Sequence, residues 1–186
     1  MPAHAVSITA TFESGDPEPT AIYTANFEGA SEHRTSGQNA YTSNTYTVGG
    51  VSWDLTYSDI ISNNTLEGSY NCTMRSAKKT NNCPTFTTGN ILSSSTTVTK
   101  ITFQATFNAS YHKSHTLEYS VNGGTTWNTL TDARDNTVDA SNGYSAAFTS
   151  VTTSDLRLRF TVTCTDHTSV NSTCDSRIDN IIVYGY

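Results

Sequence analysis

Charge is scarce in this chain. Only 14% of its 186 residues are charged, and 10 Lys and Arg stand against 16 Asp and Glu, a formal net charge of −6. Low charge with 10% aromatic residues excludes a disordered polyelectrolyte. The acidic balance excludes a nucleic-acid binder, because Arg34, Arg75, Lys78 and Lys79 are too few to track a phosphate backbone. No apolar run approaches the roughly 20 residues of a membrane-spanning helix. Glutamate is limited to six positions, 13, 18, 28, 32, 67 and 118. That leaves little material for the paired carboxylates of a glycoside hydrolase. No G-x-S-x-G nucleophile elbow occurs, and the Asp166-His167 neighbourhood of Ser169 and Ser172 is what a Ser/Thr-rich loop gives by chance. A period of 3.6 residues is never sustained over ten residues, so no long helix is expected.

What the chain has instead is hydroxyls, 34 Thr and 23 Ser, and a period of two. Ile101, Phe103, Ala105 and Phe107 alternate with Thr102, Gln104 and Thr106; Leu156 to Cys164 alternates with Arg157, Arg159, Thr161 and Thr163. Val6, Ile8, Ala10 and Phe12 do the same near the start, and Leu117, Tyr119 and Val121 in the middle. Such runs are half-buried antiparallel strands, with β-branched Thr on the wet face. Strands are expected near 4–12, 21–28, 45–57, 68–75, 97–108, 115–121, 125–130, 144–151, 155–164 and 176–185, with 76–95 a long loop. Asn122-Gly123-Gly124 marks a hairpin. Ten strands without helices predict an all-β, two-sheet antiparallel sandwich. The length fits one domain, with residues 1–20 an N-terminal strand and Pro-containing turn before a core over 21–186. Ala10-Thr11-Phe12-Glu13 echoes Ala25-Asn26-Phe27-Glu28.

Four cysteines form two close pairs, and their spacing favours the disulfides Cys72–Cys83 and Cys164–Cys174 over a zinc site. Disulfides imply an oxidising compartment. Met1 to Ala10 has neither the basic nor the apolar region of a signal peptide. A domain of a longer secreted protein, or a virion protein, is therefore expected. The scattered histidines do not suggest a metal site, and His112 and His115 are placed at the surface. Trp53 and Trp127, each following a Gly-Gly turn, are expected in core or sheet packing. Tyr57, Tyr70, Tyr111 and Tyr144, near turns, are the candidates for an exposed platform on which sugar rings stack.

Three motifs in order carry a resemblance: Asn26-Phe27-Glu28-Gly29, then Leu117-Glu118-Tyr119-Ser120-Val121-Asn122-Gly123-Gly124-Thr125-Thr126-Trp127, then Arg177-Ile178-Asp179-Asn180-Ile181-Ile182-Val183. Together they resemble extracellular jelly-roll domains of the carbohydrate-binding-module, MAM-like and bacterial choice-of-anchor surface types. The resemblance implies jelly-roll topology. It also implies a structural Ca²⁺ shared by Glu28 and Asp179, with Glu13 the competing ligand. The function it implies is non-catalytic binding of a glycan or cell surface as one module of a secreted protein. Two rivals remain: a small glycoside hydrolase using Glu118 with Glu67 or Glu32, and a surface-layer or virion decoration protein that assembles through its sheet edges.

Overall fold

A computed structural model describes residues 15, 17–29, 31–34, 42–62, 68–76, 83–106, 112–132, 144–146, 148–164 and 174–186. The expected strand at 4–12 lies outside them. The described residues form thirteen strands and no helix, in two antiparallel sheets.

In the first sheet, β13 (Cys174–Gly185) is the middle strand. One side of it pairs with β7 (Thr96–Thr106) along its length. The other side pairs first with β5 (Asn71–Ser76) and then, toward its end, with β1 (Thr20–Ala25). β4 (Ser58–Ile61) extends the sheet beyond β5, and β10 (Tyr144–Ala146) and β11 (Val151–Thr153) lie on β7. In the second sheet the order is β2 (Ser43–Val48), β3 (Val51–Thr56), β6 (Thr85–Thr88), β12 (Arg157–Cys164), β8 (His112–Ser120) and β9 (Asn128–Asp132).

The two orders mirror one another. Strands β7, β13, β5 and β4 are neighbours in one sheet; their chain neighbours β8, β12, β6 and β3 are neighbours, in the same order, in the other. A ribbon of paired strands thus folds over the core, and that is jelly-roll wrapping. It confirms the expected fold class.

Alternation places the core between the sheets. Val51, Trp53 and Leu55 of β3 are buried while Ser52, Asp54 and Thr56 are exposed. Trp53, Phe86 and Phe160 stack from strand to strand, with centroids 4.7 and 5.8 Å apart, and Phe27 meets Trp53 edge-on at 5.2 Å. The expected strand at 45–57 is two strands, because Gly49 and Gly50 both take positive φ and close a two-residue hairpin. A side chain at Gly49 would strike the Thr24 carbonyl and the Tyr23 ring.

Two strands were not expected. β6 lies inside the predicted loop and has one large apolar residue, Phe86; β4 carries a buried aspartate, Asp59. The expected Cys72–Cys83 bridge is not formed. Cys72 is a free thiol at 0% exposure in the core cluster, because it alternates inward with Met74 on β5, whereas Cys83 stands exposed ahead of β6. Only the backbone of Cys164 and Cys174 is described, on β12 and β13.

Candidate functional site

Two places concentrate chemistry. The first is the outer face of the six-stranded sheet. Register aligns Thr45, Asp54, Thr87, Arg159, Glu118 and Thr129 in one row across all six strands. The next row is Ser43, Thr56, Thr85, Thr161 and Thr116, with the backbone of Asp132 at its end. At about 4.8 Å per strand, each row runs roughly 24 Å. These positions are outward because their neighbours Trp53, Leu55, Phe86, Leu158, Phe160 and Leu117 are buried.

Within the first row Arg159 grips Glu118 through two hydrogen bonds of 2.7 and 2.9 Å. The Arg159 guanidinium lies 4.3 Å from the centre of the Trp127 ring. Trp127 is half-buried and packs on the sheet rather than in the core, one of the two placements expected of it. The hairpin before β9 turns it onto the sheet's wet face, against Arg159. Arg157 holds Asp155 from beside this group, and that carboxylate raises the basicity of the guanidinium. Thr45 donates to Asp54 at 2.9 Å.

The second place is the end of the sandwich where β1 leaves β13. Asn26, Glu28, Gly68 and Asn180 line a hollow of about 160 Å³. Phe27 (φ 59°) and Asn180 (φ 43°) both sit in the left-handed region. For a bulky residue such as Phe27 that conformation is strained, and strain of this kind persists only where the surroundings enforce it. Here the Phe27 ring is fully buried against Trp53. Glu28 then accepts the backbone N–H groups of Ser69 and Tyr70 on Oε1, at 2.7 and 3.0 Å. Gly68, itself at φ +60°, has no side chain because one would collide with that carboxylate. Glu32 ties the same corner, accepting from the N–H of Gly29 at 3.2 Å and of Gly49 at 2.8 Å.

Asp179 is the neighbour of this hollow rather than its wall. Its carboxylate is 1% exposed and accepts the Asn180 N–H at 2.7 Å. Simple alternation does not hold here: a bulge between Asp179 and Ile182 makes Ile178, Ile181 and Val183 the inward set. Deeper in, Asp59 at 0% exposure accepts from Tyr46 Oη at 2.5 Å and from the Ile60 N–H at 3.0 Å, and pairs with Arg34 at 3.4 Å. Burial, then the carboxylates of Asp59 and Asp179, push the Cys72 thiol up. Burial, then the bond to Asp59, push Tyr46 up.

Of the four candidate tyrosines, Tyr57 is half-buried at the kink between β3 and β4, with φ 49° and its N–H bonded to the Thr42 carbonyl. Tyr70 packs on the core and is stacked by His33, rings 3.7 Å apart and nearly parallel, so one of its faces is already covered. Tyr111 lies outside the described residues, and of Tyr144 only the backbone is described, on β10. His115 is not at the surface. It is 1% exposed and bonds Ser176 Oγ at 2.9 Å, linking the two sheets through the interior. The Asp166-His167 neighbourhood and Glu67 lie outside the described residues.

Among the described residues no three His, Cys, Asp or Glu side chains are grouped to hold a metal, and no helix is long and apolar enough to cross a membrane. The oxygens that Glu28, Asn26 and Asn180 bring to the hollow are of the type calcium takes.

No family model and no curated protein matches the chain. Among solved structures it is similar to the CBM22-1 xylan-binding domain of Paenibacillus barcinonensis Xyn10C, with 12% identity over 92% of this chain and 97% of that one, TM-score 0.49. It is also similar to chitosan-binding module 1 from a chitosanase/glucanase of Paenibacillus sp. IK-5, with 23% identity over 70% and 93%, TM-score 0.38. A third likeness is to the C-terminal family 22 carbohydrate-binding module of Clostridium thermocellum Xyn10B, with 12% identity over 89% and 94%, TM-score 0.38. At these identities and scores the likenesses assign neither ligand nor site to this chain.

Proposed function

We propose that this domain is a non-catalytic carbohydrate-binding module, secreted or displayed at a cell surface, which holds a glycan on the outer face of its six-stranded sheet. The observation that carries the reading is the pair of hydroxyl-rich rows crossing that face beside Trp127. Thr and Ser side chains donate to and accept from sugar hydroxyls, and an aromatic ring covers the apolar face of a sugar. The ion pairs Arg159–Glu118 and Arg157–Asp155 neutralise most of the charge nearby, which suits a neutral glycan.

Hydrolysis is disfavoured on the same face. Glu118 is held by Arg159, and Asp54 lies three strands away, about 14 Å at the spacing of a sheet. Hydrolases need their two carboxyls within about 10 Å. A glycan-array screen followed by reducing-sugar assay tests the reading. Trp127→Ala should weaken binding to any hit by roughly two- to tenfold, the range of an aromatic contact, without moving the melting curve. Sugar release that Glu118→Gln abolishes would overturn the proposal.

A structural Ca²⁺ at Glu28, with Asp179 holding the Asn180 backbone beside it, belongs to the same proposal. What supports it is the oxygen chemistry of the hollow and the strained backbone at Phe27 and Asn180. Calcium at 100 times its dissociation constant adds about 2.7 kcal/mol, so EDTA should lower the melting temperature by several degrees. An unchanged curve removes calcium from the proposal and leaves glycan binding standing.

A further inference from the structure

The outer face of the seven-stranded sheet carries side chains that neither the core nor the Trp127 face uses. On β13, Ile181, Val183 and Gly185 are buried, whereas Ile182 and Tyr184 are half-buried and Tyr186 is 46% exposed. Alternation thus turns Ile182, Tyr184 and Tyr186 outward in one stripe. Tyr186 is the one large hydrophobic side chain exposed among the described residues. The sheet holds it in place. Its N–H donates to the Thr97 carbonyl at 3.1 Å, and its carbonyl accepts from the Thr97 N–H at 3.0 Å. At the rise of a strand the Cα atoms of the two tyrosines stand about 7 Å apart.

Lys100 lies beside this stripe because of a bulge. Gly185 pairs with Val98 and Tyr184 with Lys100, so Thr99 is the extra residue. Its hydroxyl donates to the Tyr184 carbonyl at 3.3 Å. Counted from buried Val98, a plain period of two would send residue 100 into the core; the bulge turns it out, the usual way a strand re-aims one side chain. The Lys100 ammonium then sits over the Tyr184 ring, 5.2 Å from its centre. Lys100 is exposed and makes no ion pair with a described residue. Nor do the hydroxyls of Tyr184 and Tyr186 bond a described residue, unlike those of Tyr23 and Tyr46, which are engaged inside the fold. Thr24, Thr97 and Thr152 on the flanking strands add hydroxyls and no carboxylate.

We propose that Lys100, Tyr184 and Tyr186 form a second glycan site, on the side of the sandwich away from Trp127, for a sugar that carries a carboxylate, a uronic acid residue. A tyrosine ring covers the apolar face of a sugar, and its hydroxyl bonds the rim. Lys100 adds a compact positive charge with three donors, pinned by the ring beneath it. One lysine answers one carboxylate. A densely sulfated chain asks for a cluster of Arg and Lys, and it would meet a protein of net charge −6. A protein partner would find an apolar stripe one strand wide, edged by Thr24 and Thr97, too narrow for the core of an interface. The site stands whether or not the six-stranded sheet holds a glycan.

Amide NMR titration of the full chain tests it, with tetragalacturonate, its methyl ester and dextran sulfate as probes. Tetragalacturonate should shift the amides of residues 100, 184 and 186. The methyl ester, the same sugar without the charge, should bind roughly threefold more weakly. Lys100→Ala should weaken tetragalacturonate by roughly three- to tenfold, and Lys100→Arg should keep it. Tyr186→Ala should weaken it by roughly two- to tenfold without moving the melting curve. Trp127→Ala should leave it unchanged, which separates this site from the face of the six-stranded sheet. Equal binding of acid and ester, binding that survives both Lys100→Ala and Tyr186→Ala, or loss in Trp127→Ala overturns the proposal. So does a tighter, Lys100-dependent hold on dextran sulfate, or no shift at millimolar tetragalacturonate.

Discussion

Two arginine–carboxylate pairs sit on opposite sides of this sandwich, and they do different work. Arg159 and Glu118 meet on the wet face, with side chains 33% and 16% exposed. Arg34 and Asp59 meet at a corner of the interior, where the aspartate is wholly buried and also holds Tyr46. The outer pair needs no help from the protein, because water screens either charge if the other is lost. The inner pair leaves a stranded charge when broken. One is an adjustable part of a surface; the other joins the loop before β2 to β4, a strand of the opposite sheet.

The strongest way to break that contrast is Arg34→Ala. It should cost about 3 kcal/mol in urea unfolding, since an uncompensated aspartate remains inside. A loss below about 1 kcal/mol would mean that Asp59 is solvated like a surface group. Next in size is Tyr23→Phe, which leaves the Val48 carbonyl and the Trp53 indole N–H unbonded and should cost about 2 kcal/mol.

Alkali sharpens the comparison further. The folded forms of Cys72, Tyr23 and Tyr46 all hold their protons more tightly than an unfolded chain does. Their contribution is complete below the unfolded values and is lost as pH rises past them. Stability should therefore be flat near neutrality and fall above about pH 9. Tyr46→Phe should make the fall shallower, whereas changes at the outer pair should not alter it. The smallest effect on stability belongs to Glu118→Ala, under about 1 kcal/mol. Its consequence should appear in glycan binding, as Arg159 loses the carboxylate that fixes it over Trp127.

The inner face of the sandwich was legible because alternation is a strong signal. Trp53 and Leu55, or Leu158 and Phe160, can face only one way if a sheet forms. Short strands gave no such signal. β6 has a single large apolar residue, and β4 hides an aspartate whose partners Arg34 and Tyr46 are distant in sequence. The bulge between Asp179 and Ile182 put Ile178 and Ile181 on the same inward side, since a period of two cannot register an inserted residue. His115 was read from its neighbours in sequence, yet what fixed it was a partner in the opposite sheet, Ser176. The hydroxyl-rich face itself follows from register, and register is set by pairings between segments many residues apart.

The place of β13 has a consequence for synthesis. The middle of the first sheet is the last of the described strands to be made, and it separates β7 from both β5 and β1. Until residues 174–185 emerge from the ribosome, those three strands present open backbone edges and the half of the core above them has no floor. Folding of this sheet must wait for residues 174–185 and then close over long sequence separations, a slow route. A nascent or truncated chain would spend that interval exposed to edge-to-edge aggregation. An arrest series should show protease resistance arriving in one late step, as residue 185 clears the exit tunnel.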